Sequence, residues 1–235
     1  MHPDLTKLLD LQAKDSEIAD LDTRQSALDA DLAALDAELR RGREVRDAAR
    51  RAVEEAARRR DEQEQRVETF RQQQDRRKQR LEFVRTPKDA ATLMAEMDLA
   101  RQVMAKEETE WVQAAEGVGG VEAAAAAEAR RYEELEAGQQ PRRTAIATRR
   151  LELAAERAVR MGEREEKAGL LERTLRMRYD RLRRARSASV VVPLSGDACG
   201  ACFTAVPRNR RSQIRAGMLL EGCEACGVIL YSAER

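Results

Sequence analysis

The four cysteines of this 235-residue chain fall in two pairs near its C-terminal end. Two residues separate Cys199 from Cys202 and Cys223 from Cys226, and twenty residues lie between the pairs. A two-residue spacing lets a tight turn direct both thiolates at one metal ion, and two such turns supply the four ligands of a tetrahedral zinc site. The spacing therefore predicts one bound Zn²⁺. Because four thiolates leave no open coordination position, we expect this metal to be structural rather than catalytic.

Disulfide or redox chemistry is the alternative for these cysteines. A thioredoxin-type Cys-x-x-Cys lies in a βαβ pattern, which this sequence lacks, and cytosolic proteins keep their thiols reduced. Short apolar runs flank each pair, including Val190–Val192 and Val228–Tyr231. Cysteine pairs between short strands are typical of a zinc ribbon, which we predict over residues 190–235. Fewer than 50 residues bury little surface, so zinc should supply much of the ribbon's folding free energy.

Arginines beside and within the predicted ribbon are candidates for partner contacts. The basic neck, defined as residues 172–186, holds seven arginines against Glu172 and Asp180, a local net charge of +5. Other arginines lie on a predicted loop between the cysteine pairs, and guanidinium groups suit phosphate binding. Phe203 and Tyr231 could stack on bases or fill the ribbon's core. The candidate contacts for a nucleic acid or a protein partner are Arg181, Arg183, Arg184, Arg208, Arg210, Arg211 and Arg215.

The composition excludes several classes of protein. The chain has 44 basic and 43 acidic residues, a net charge of +1, and only 3% aromatic residues. So few large apolar side chains disfavour a compact α/β or all-β enzyme and favour long solvated helices with one apolar stripe. No uncharged apolar run is long enough to span a membrane, and no signal peptide is visible, so we expect a cytoplasmic protein. The only histidine is His2, and no catalytic set or small-molecule site is evident.

Two heptad patterns predict the elements that carry the ribbon. Predicted seam positions alternate by three and four residues from Ile18 to Val84, where 13 of 20 are apolar, and again from Leu93 to Leu135, where 11 of 13 are apolar. Such long patterns indicate a coiled coil. Thr86 followed by Pro87 is typical of a helix start, so the two helices should be antiparallel neighbours.

The predicted fold is mostly α: a long antiparallel coiled-coil helical hairpin followed by a small β zinc ribbon. We predict a hairpin domain over 1–186, with helices at about 4–85 and 87–186, and the ribbon domain over 190–235. Gly138–Pro141 should kink or interrupt the second helix, because proline removes a backbone hydrogen bond. The apolar pattern then resumes in a shifted register at Leu151.

The whole chain resembles the bacterial coiled-coil proteins with a C-terminal four-cysteine zinc ribbon, a family long catalogued as a domain of unknown function. The resemblance is carried by Val84–Met97 at the turn between the helices and by the tail Leu175–Tyr231 with its two cysteine pairs. Two departures stand out. Asp89 and Ala90 replace a usual Glu-Tyr pair, and Val228 replaces a usual arginine.

This resemblance implies a non-enzymatic adaptor or chaperone-like protein that binds a protein partner. Family members are linked to flagellar or type III secretion and to the transcription factor sigma-54, and RNA binding has been proposed for them. The implied partner is therefore a sigma factor, RNA polymerase or a secretion component.

The alternative is a transcription regulator or nucleic-acid-binding protein that acts through the ribbon and the basic neck. Proteins of the DnaK-suppressor family also combine a coiled-coil hairpin with a four-cysteine site. They are shorter and carry acidic residues at the hairpin tip. The predicted tip here has Arg85 and Lys88 beside a single Asp89.

Overall fold

A computed structural model gives the structure of residues 2–185, 189–218 and 220–233. The predicted fold class is confirmed: long helices are followed by a small three-stranded sheet. The elements are α1 (Leu5–Glu82), α2 (Pro87–Gly169), α3 (Arg173–Ala185), β1 (Val191–Ser195), β2 (Ala198–Cys199), α4 (Arg208–Arg215) and β3 (Ile229–Tyr231). Among the described residues, no helix is both long and apolar enough to cross a membrane.

The predicted turn between the long helices is confirmed at atomic detail. Asp89 donates its backbone N–H to the Thr86 hydroxyl at 3.2 Å, and that hydroxyl donates to the Asp89 carboxylate at 2.7 Å. This exchange satisfies an N–H group that a helix start would otherwise leave unpaired. Pro87 occupies the first position of α2, where its missing N–H costs nothing.

Both predicted heptad patterns form the apolar seam of the helix pair. Every predicted seam position from Ile18 to Val84, and from Leu93 to Leu135, is buried or half-buried. Large side chains such as Leu35, Val67 and Met97 are at most 6% exposed. The three-and-four spacing therefore sets which face of each helix is buried.

The predicted interruption at Gly138–Pro141 is wrong, because α2 continues through Pro141. Beyond the proline the buried face passes through Ile146 and Leu153, whereas Leu151 is 75% exposed, so the predicted restart of the pattern at Leu151 is wrong. Two polar residues fill the seam beside the proline. Gln139 donates to the Glu38 carboxylate at 3.0 Å, and Arg143 donates to the Asp36 carboxylate at 2.6 Å. These bonds across the helix pair offset the one that proline cannot make.

The second helix is also shorter than predicted, because it ends at Gly169 and the chain restarts as α3 at Arg173. Leu171 is only 7% exposed and packs into a core with Leu5 and Leu8. Glu172 directly precedes α3, and its carbonyl accepts the N–H of Arg176 in the first turn of that helix at 2.9 Å. The last predicted helical residue, Arg186, lies outside the described residues.

The described chain forms two compact units that do not follow the predicted boundary near residue 186. One unit runs up to Leu32 and resumes at Thr144, so it contains the ends of the long helices, α3 and the sheet. The other unit is Ala33–Arg143. Within each unit the contacts between α1 and α2 show antiparallel pairing.

The sheet lies against the beginning of α1 and is fixed there by one side chain. Its strand order is β2-β1-β3, with β2 antiparallel and β3 parallel to β1. The Gln12 side chain accepts the N–H groups of Val190 and Val191 at 2.9 and 2.7 Å and donates to the Val191 carbonyl at 2.9 Å. Val190, Val191 and Ile229 share an apolar core with Leu8 of α1.

Candidate metal centre

The first cysteine pair lies on a tight turn at the end of β2. Cys199 pairs with Leu194 of β1, and its N–H donates to the Thr204 carbonyl at 2.9 Å. Its own carbonyl accepts the N–H of Phe203 at 2.9 Å, which folds the chain back after Cys202. Phe203 needs a left-handed backbone with a φ of 56° to close this turn.

The second cysteine pair repeats the same turn before β3. The Cys223 carbonyl accepts the N–H of Gly227 at 2.7 Å, and Gly227 has a φ of 78°. The residue after each second cysteine is thus left-handed and bonded to the carbonyl of the first cysteine. Glycine adopts this conformation without cost, whereas Phe203 pays about 1 kcal/mol for it.

The two turns bring all four cysteine sulfur atoms within 4.8 Å of one another. The Sγ atoms of Cys199 and Cys226 are 3.8 Å apart, and those of Cys202 and Cys223 are 3.6 Å apart. The four are free thiols, since a disulfide would require about 2.05 Å. A tetrahedral metal with bonds of about 2.3 Å to sulfur has sulfur–sulfur edges of about 3.8 Å. The donor set and its spacing therefore fit a tetrahedral metal ion.

The surroundings of the thiols affect their proton affinities in different directions. The Thr204 hydroxyl, 3.4 Å from Cys202 Sγ, and the Thr204 backbone lower the pKa of Cys202 to about 6. Burial raises the pKa of Cys199 and raises the pKa of Cys226 to about 12. Thiol ligands give up their protons when a metal binds, so metal binding at this cluster should release protons.

A close backbone contact holds the first turn in place. Gly200 donates its N–H to the Pro193 carbonyl of β1 at 3.1 Å. A Cβ atom at position 200 would lie 2.4 Å from that carbonyl oxygen, which is closer than van der Waals contact allows. Position 200 therefore requires glycine.

Three of the seven candidate contact arginines are engaged inside the protein. Arg210 pairs with Glu221 and Glu224 and donates to the Gly222 carbonyl at 3.0 Å. Arg211 pairs with Asp197. The segment holding both is the helix α4 instead of the predicted loop, because Ile214 on its inner face packs into the ribbon's second core.

The third engaged arginine is Arg183 of the basic neck. Its guanidinium reaches Asp15 of α1 at 2.7 Å. The other four candidates are exposed, namely Arg181, Arg184, Arg208 and Arg215. The structure therefore divides the predicted contact set into arginines that hold the fold together and arginines that face solvent.

The two aromatic residues of the ribbon have different surroundings. Phe203 is 75% exposed, so it does not fill the ribbon core. Tyr231 is half-buried at the end of β3 and packs against the core shared with α1.

A buried polar cluster beside the ribbon was not predicted from the sequence. Asp15 is 4% exposed and accepts hydrogen bonds from Tyr179 at 2.8 Å and from Arg164 at 3.2 Å. Arg164 is 7% exposed and also pairs with Asp180. A signal for part of the cluster exists in the sequence. Aspartates recur every seven residues from Asp15 in α1, and α2 carries arginines at the same interval, at residues 143, 150, 157 and 164.

Comparison of the sequence finds no matching family model and no matching curated protein. Comparison of the structure finds matches over nearly the whole chain. CT398 from Chlamydia trachomatis has a TM-score of 0.86 at 19% sequence identity, and the match covers 97% of both chains.

Two further solved structures are similar in fold. The HP0958 protein from Helicobacter pylori has a TM-score of 0.69 at 16% identity, with 98% of both chains covered. A protein from Mycobacterium smegmatis has a TM-score of 0.69 at 23% identity, with 98% of this chain and 99% of the other covered. At these identities the matches show that the chain shares their fold.

Proposed function

We propose that this protein is a cytoplasmic, non-enzymatic adaptor in which one structural Zn²⁺ holds the C-terminal ribbon in its binding conformation. The observation that carries the proposal is the cluster of four thiols on two matching turns, with sulfur–sulfur distances of 3.6 and 3.8 Å. Four thiolates saturate a tetrahedral ion, so such a site stabilises a fold and leaves no position for a substrate.

Zinc is the metal that this donor set favours. Thiolate ligands select soft or borderline ions, and a tetrahedral arrangement of four sulfur atoms is typical of zinc or iron–sulfur sites. The second core of the ribbon contains few large residues, chiefly Val192, Ile214 and Leu230. A core of this size needs the binding free energy of a metal to remain folded.

An adaptor role is supported by the way the ribbon is attached to the helices. The Gln12 side chain, which accepts the N–H of Val191 and donates to its carbonyl, and the apolar core around Leu8 fix the first strand of the ribbon. A partner that binds the ribbon would therefore contact a rigid surface. The resemblance to the coiled-coil zinc-ribbon family suggests sigma-54, RNA polymerase or a secretion component as that partner.

The metal part of the proposal is tested by measuring metal content. We expect the purified full-length protein to carry one zinc per chain by inductively coupled plasma mass spectrometry. Cys199→Ser should lose the zinc, whereas Ser195→Cys, which changes a nearby strand residue, should retain it. Iron, or no metal at all, in the wild-type protein would contradict a structural zinc.

The adaptor part is tested separately with purified candidates. Sigma-54, core RNA polymerase and the export components of the same cell are each passed over immobilised wild-type protein and over Cys199→Ser. We expect one candidate to be retained by the wild type and released by the variant. Retention of none of them would count against the adaptor role suggested by the resemblance.

Nucleic-acid binding is the second candidate function, favoured by the exposed Phe203 and the exposed arginines of the ribbon. Aromatic rings that face solvent can stack on unpaired bases, and Arg208 and Arg215 could contact phosphates. We expect such binding to weaken steeply as salt rises. A gel shift with single-stranded RNA that disappears in Phe203→Ala would favour this function over a protein partner.

A further inference from the structure

The short helix α3 has six arginines whose side chains divide between two faces. Three face inward and are occupied. Arg176 pairs with Glu165 at 2.6 Å, Arg178 donates to the Leu220 carbonyl at 3.1 Å, and Arg183 pairs with Asp15 at 2.7 Å. These arginines fasten the helix to its neighbours.

The other three arginines of α3 face solvent. Arg173 and Arg181 are exposed and have no ion pair with any described residue. Arg184 is exposed as well, and its Nε donates only to the carbonyl of Asp180 in the same helix, at 3.3 Å. No acidic side chain within the described chain neutralises this outward charge.

The exposed arginines form a stripe with an apolar centre, which we call the outer α3 face (Arg173, Met177, Arg181 and Arg184). These positions follow steps of four, four and three residues, so they lie on one side of the helix over about 16 Å. Met177 is 55% exposed between the cations. Leu170, 59% exposed, precedes the stripe at the turn before α3.

The composition of this face fits a peptide better than a nucleic acid. Single-stranded nucleic acids bind through stacking aromatic rings as well as cations. The aromatic residue of α3, Tyr179, is 1% exposed and bonded to Asp15, so it offers no ring to a base. An exposed methionine is instead an adaptable contact for apolar side chains of a helix.

We propose that the outer α3 face binds an acidic amphipathic helix of a protein partner. Carboxylates of the partner pair with Arg173, Arg181 and Arg184, and its apolar side chains pack on Met177. This inference rests on the proposed adaptor function and names the chemistry of the partner. Because α3 is fastened through its other face, it can hold this ligand without leaving the helices.

The test uses a fluorescein-labelled 21-residue helical peptide with leucine on one face and glutamate on the others. Its binding to the full-length protein is followed by fluorescence anisotropy at several salt concentrations. We expect the triple variant Arg173→Glu, Arg181→Glu, Arg184→Glu to lower the affinity at least tenfold. Met177→Ala should lower it a few-fold with the salt dependence unchanged, because that side chain contributes packing only.

A matched triple variant controls for the change in total charge. Arg66, Arg76 and Arg80 of α1 are exposed and have no ion pair with a described residue. Changing these three to glutamate should leave peptide binding as in the wild type. The same peptide with lysine in place of glutamate should not bind. Circular dichroism and zinc content of each variant show whether it remains folded.

Three results would overturn the proposal. The first is equal loss of affinity in the two triple variants, which would mean that net charge alone attracts the peptide. The others are α3-dependent binding of single-stranded RNA, or of phosphatidylglycerol vesicles, without peptide binding. If the α3 triple variant then still contains zinc and still retains a protein partner, the adaptor proposal stands. Only the proposed binding of an acidic helix to the outer α3 face is then wrong.

Discussion

At the scale of single residues, Asp15 joins three helices through one buried carboxylate. It accepts a hydrogen bond from Tyr179 and pairs with Arg164 and Arg183. Burial lowers the pKa of Arg164, but hydrogen bonds from its guanidinium to Asp180, Glu165 and Asp15 outweigh burial and raise it. Arg164 therefore stays charged although it is buried. The stability of the fold around it depends on keeping the acidic partners of this guanidinium.

Removing Asp15 should be far more damaging than removing an exposed aspartate of the same helix. In Asp15→Ala, Arg164 loses a buried counter-charge, which we expect to lower the free energy of unfolding by about 3–5 kcal/mol. Asp22→Ala, which breaks an exposed pair, should cost at most about 1 kcal/mol. Urea unfolding followed by circular dichroism compares them, and equal costs would show that the buried cluster adds no stability.

The buried Tyr179 should make the free energy of unfolding of the protein depend on pH. Burial and the hydrogen bond to Asp15 raise the pKa of Tyr179 above its ordinary value. A group whose pKa is raised on folding stabilises the protein fully below its unfolded pKa, near 10, and less as the pH rises above that. The stability difference between the wild type and Tyr179→Phe should therefore be constant from pH 7 to 9 and shrink above pH 10. A difference that grows with pH would contradict this assignment.

The close contact between Gly200 and β1 leads us to predict that one added methyl group disrupts the metal centre. In Gly200→Ala the new Cβ would lie 2.4 Å from the Pro193 carbonyl oxygen, so the first cysteine turn must shift away from β1. We expect the variant to lose zinc at a lower chelator concentration than the wild type. Gly162→Ala is the control, since a Cβ there meets nothing within 4 Å. Unchanged zinc retention in Gly200→Ala would show that the turn adapts.

At the scale of elements, a ladder of ion pairs with seven-residue spacing links the two long helices. In the unit that contains the ribbon, Asp15 pairs with Arg164 at 3.2 Å, Asp22 with Arg157 at 2.6 Å and Asp29 with Arg150 at 3.0 Å. In the other unit, Asp36 pairs with Arg143 at 2.6 Å. Each exposed pair adds little stability. Sliding one helix along the other by one heptad would, however, leave the residues at the ends of the series unpaired. The ladder therefore favours one register between α1 and α2.

Exchanging the charges of one pair tests the ladder. We expect Arg157→Asp and Asp22→Arg each to lower the free energy of unfolding by about 1 kcal/mol, because each places like charges together. The double variant restores an opposite pair and should recover most of that loss. A double-mutant cycle from urea unfolding measures the coupling. Purely additive losses would mean that the two side chains do not interact.

At the scale of the whole molecule, the ribbon shares its folding with the ends of the long helices. Val190, Val191 and Ile229 of the ribbon pack in one core with Leu8 of α1 and Tyr179 of α3. The loss of metal should therefore affect more of the chain than the residues that bind it.

Hydrogen exchange after zinc removal measures this coupling. We expect a chelator to abolish protection over residues 190–233 and to weaken it over 5–12 and 173–185, where the helices pack on the ribbon. Residues 33–143 should keep their protection, and most of the helical circular dichroism should remain. Protection that is unchanged in 5–12 would show that the helix ends fold independently of the ribbon.

Much of the fold and the cysteine cluster could be predicted from the sequence, because both depend on regular spacing. Heptads set the buried faces of α1 and α2, Thr86 and Pro87 mark the turn, and paired cysteines mark the metal centre. The predictions failed where a local preference competed with packing. Pro141 does not end α2, and Gln139 and Arg143 on either side of it bond across the helix pair.

The sequence by itself determined which side chains must be buried in the helix pair and which four thiols must meet, since these follow from spacing along one chain. The tertiary structure alone decided how the arginines are used. Arg183, Arg210 and Arg211 find acidic partners, while Arg173 and Arg181 find none among the described residues. The physical reason is that an ion pair depends on distances between side chains that are remote along the chain, and only folding sets those distances.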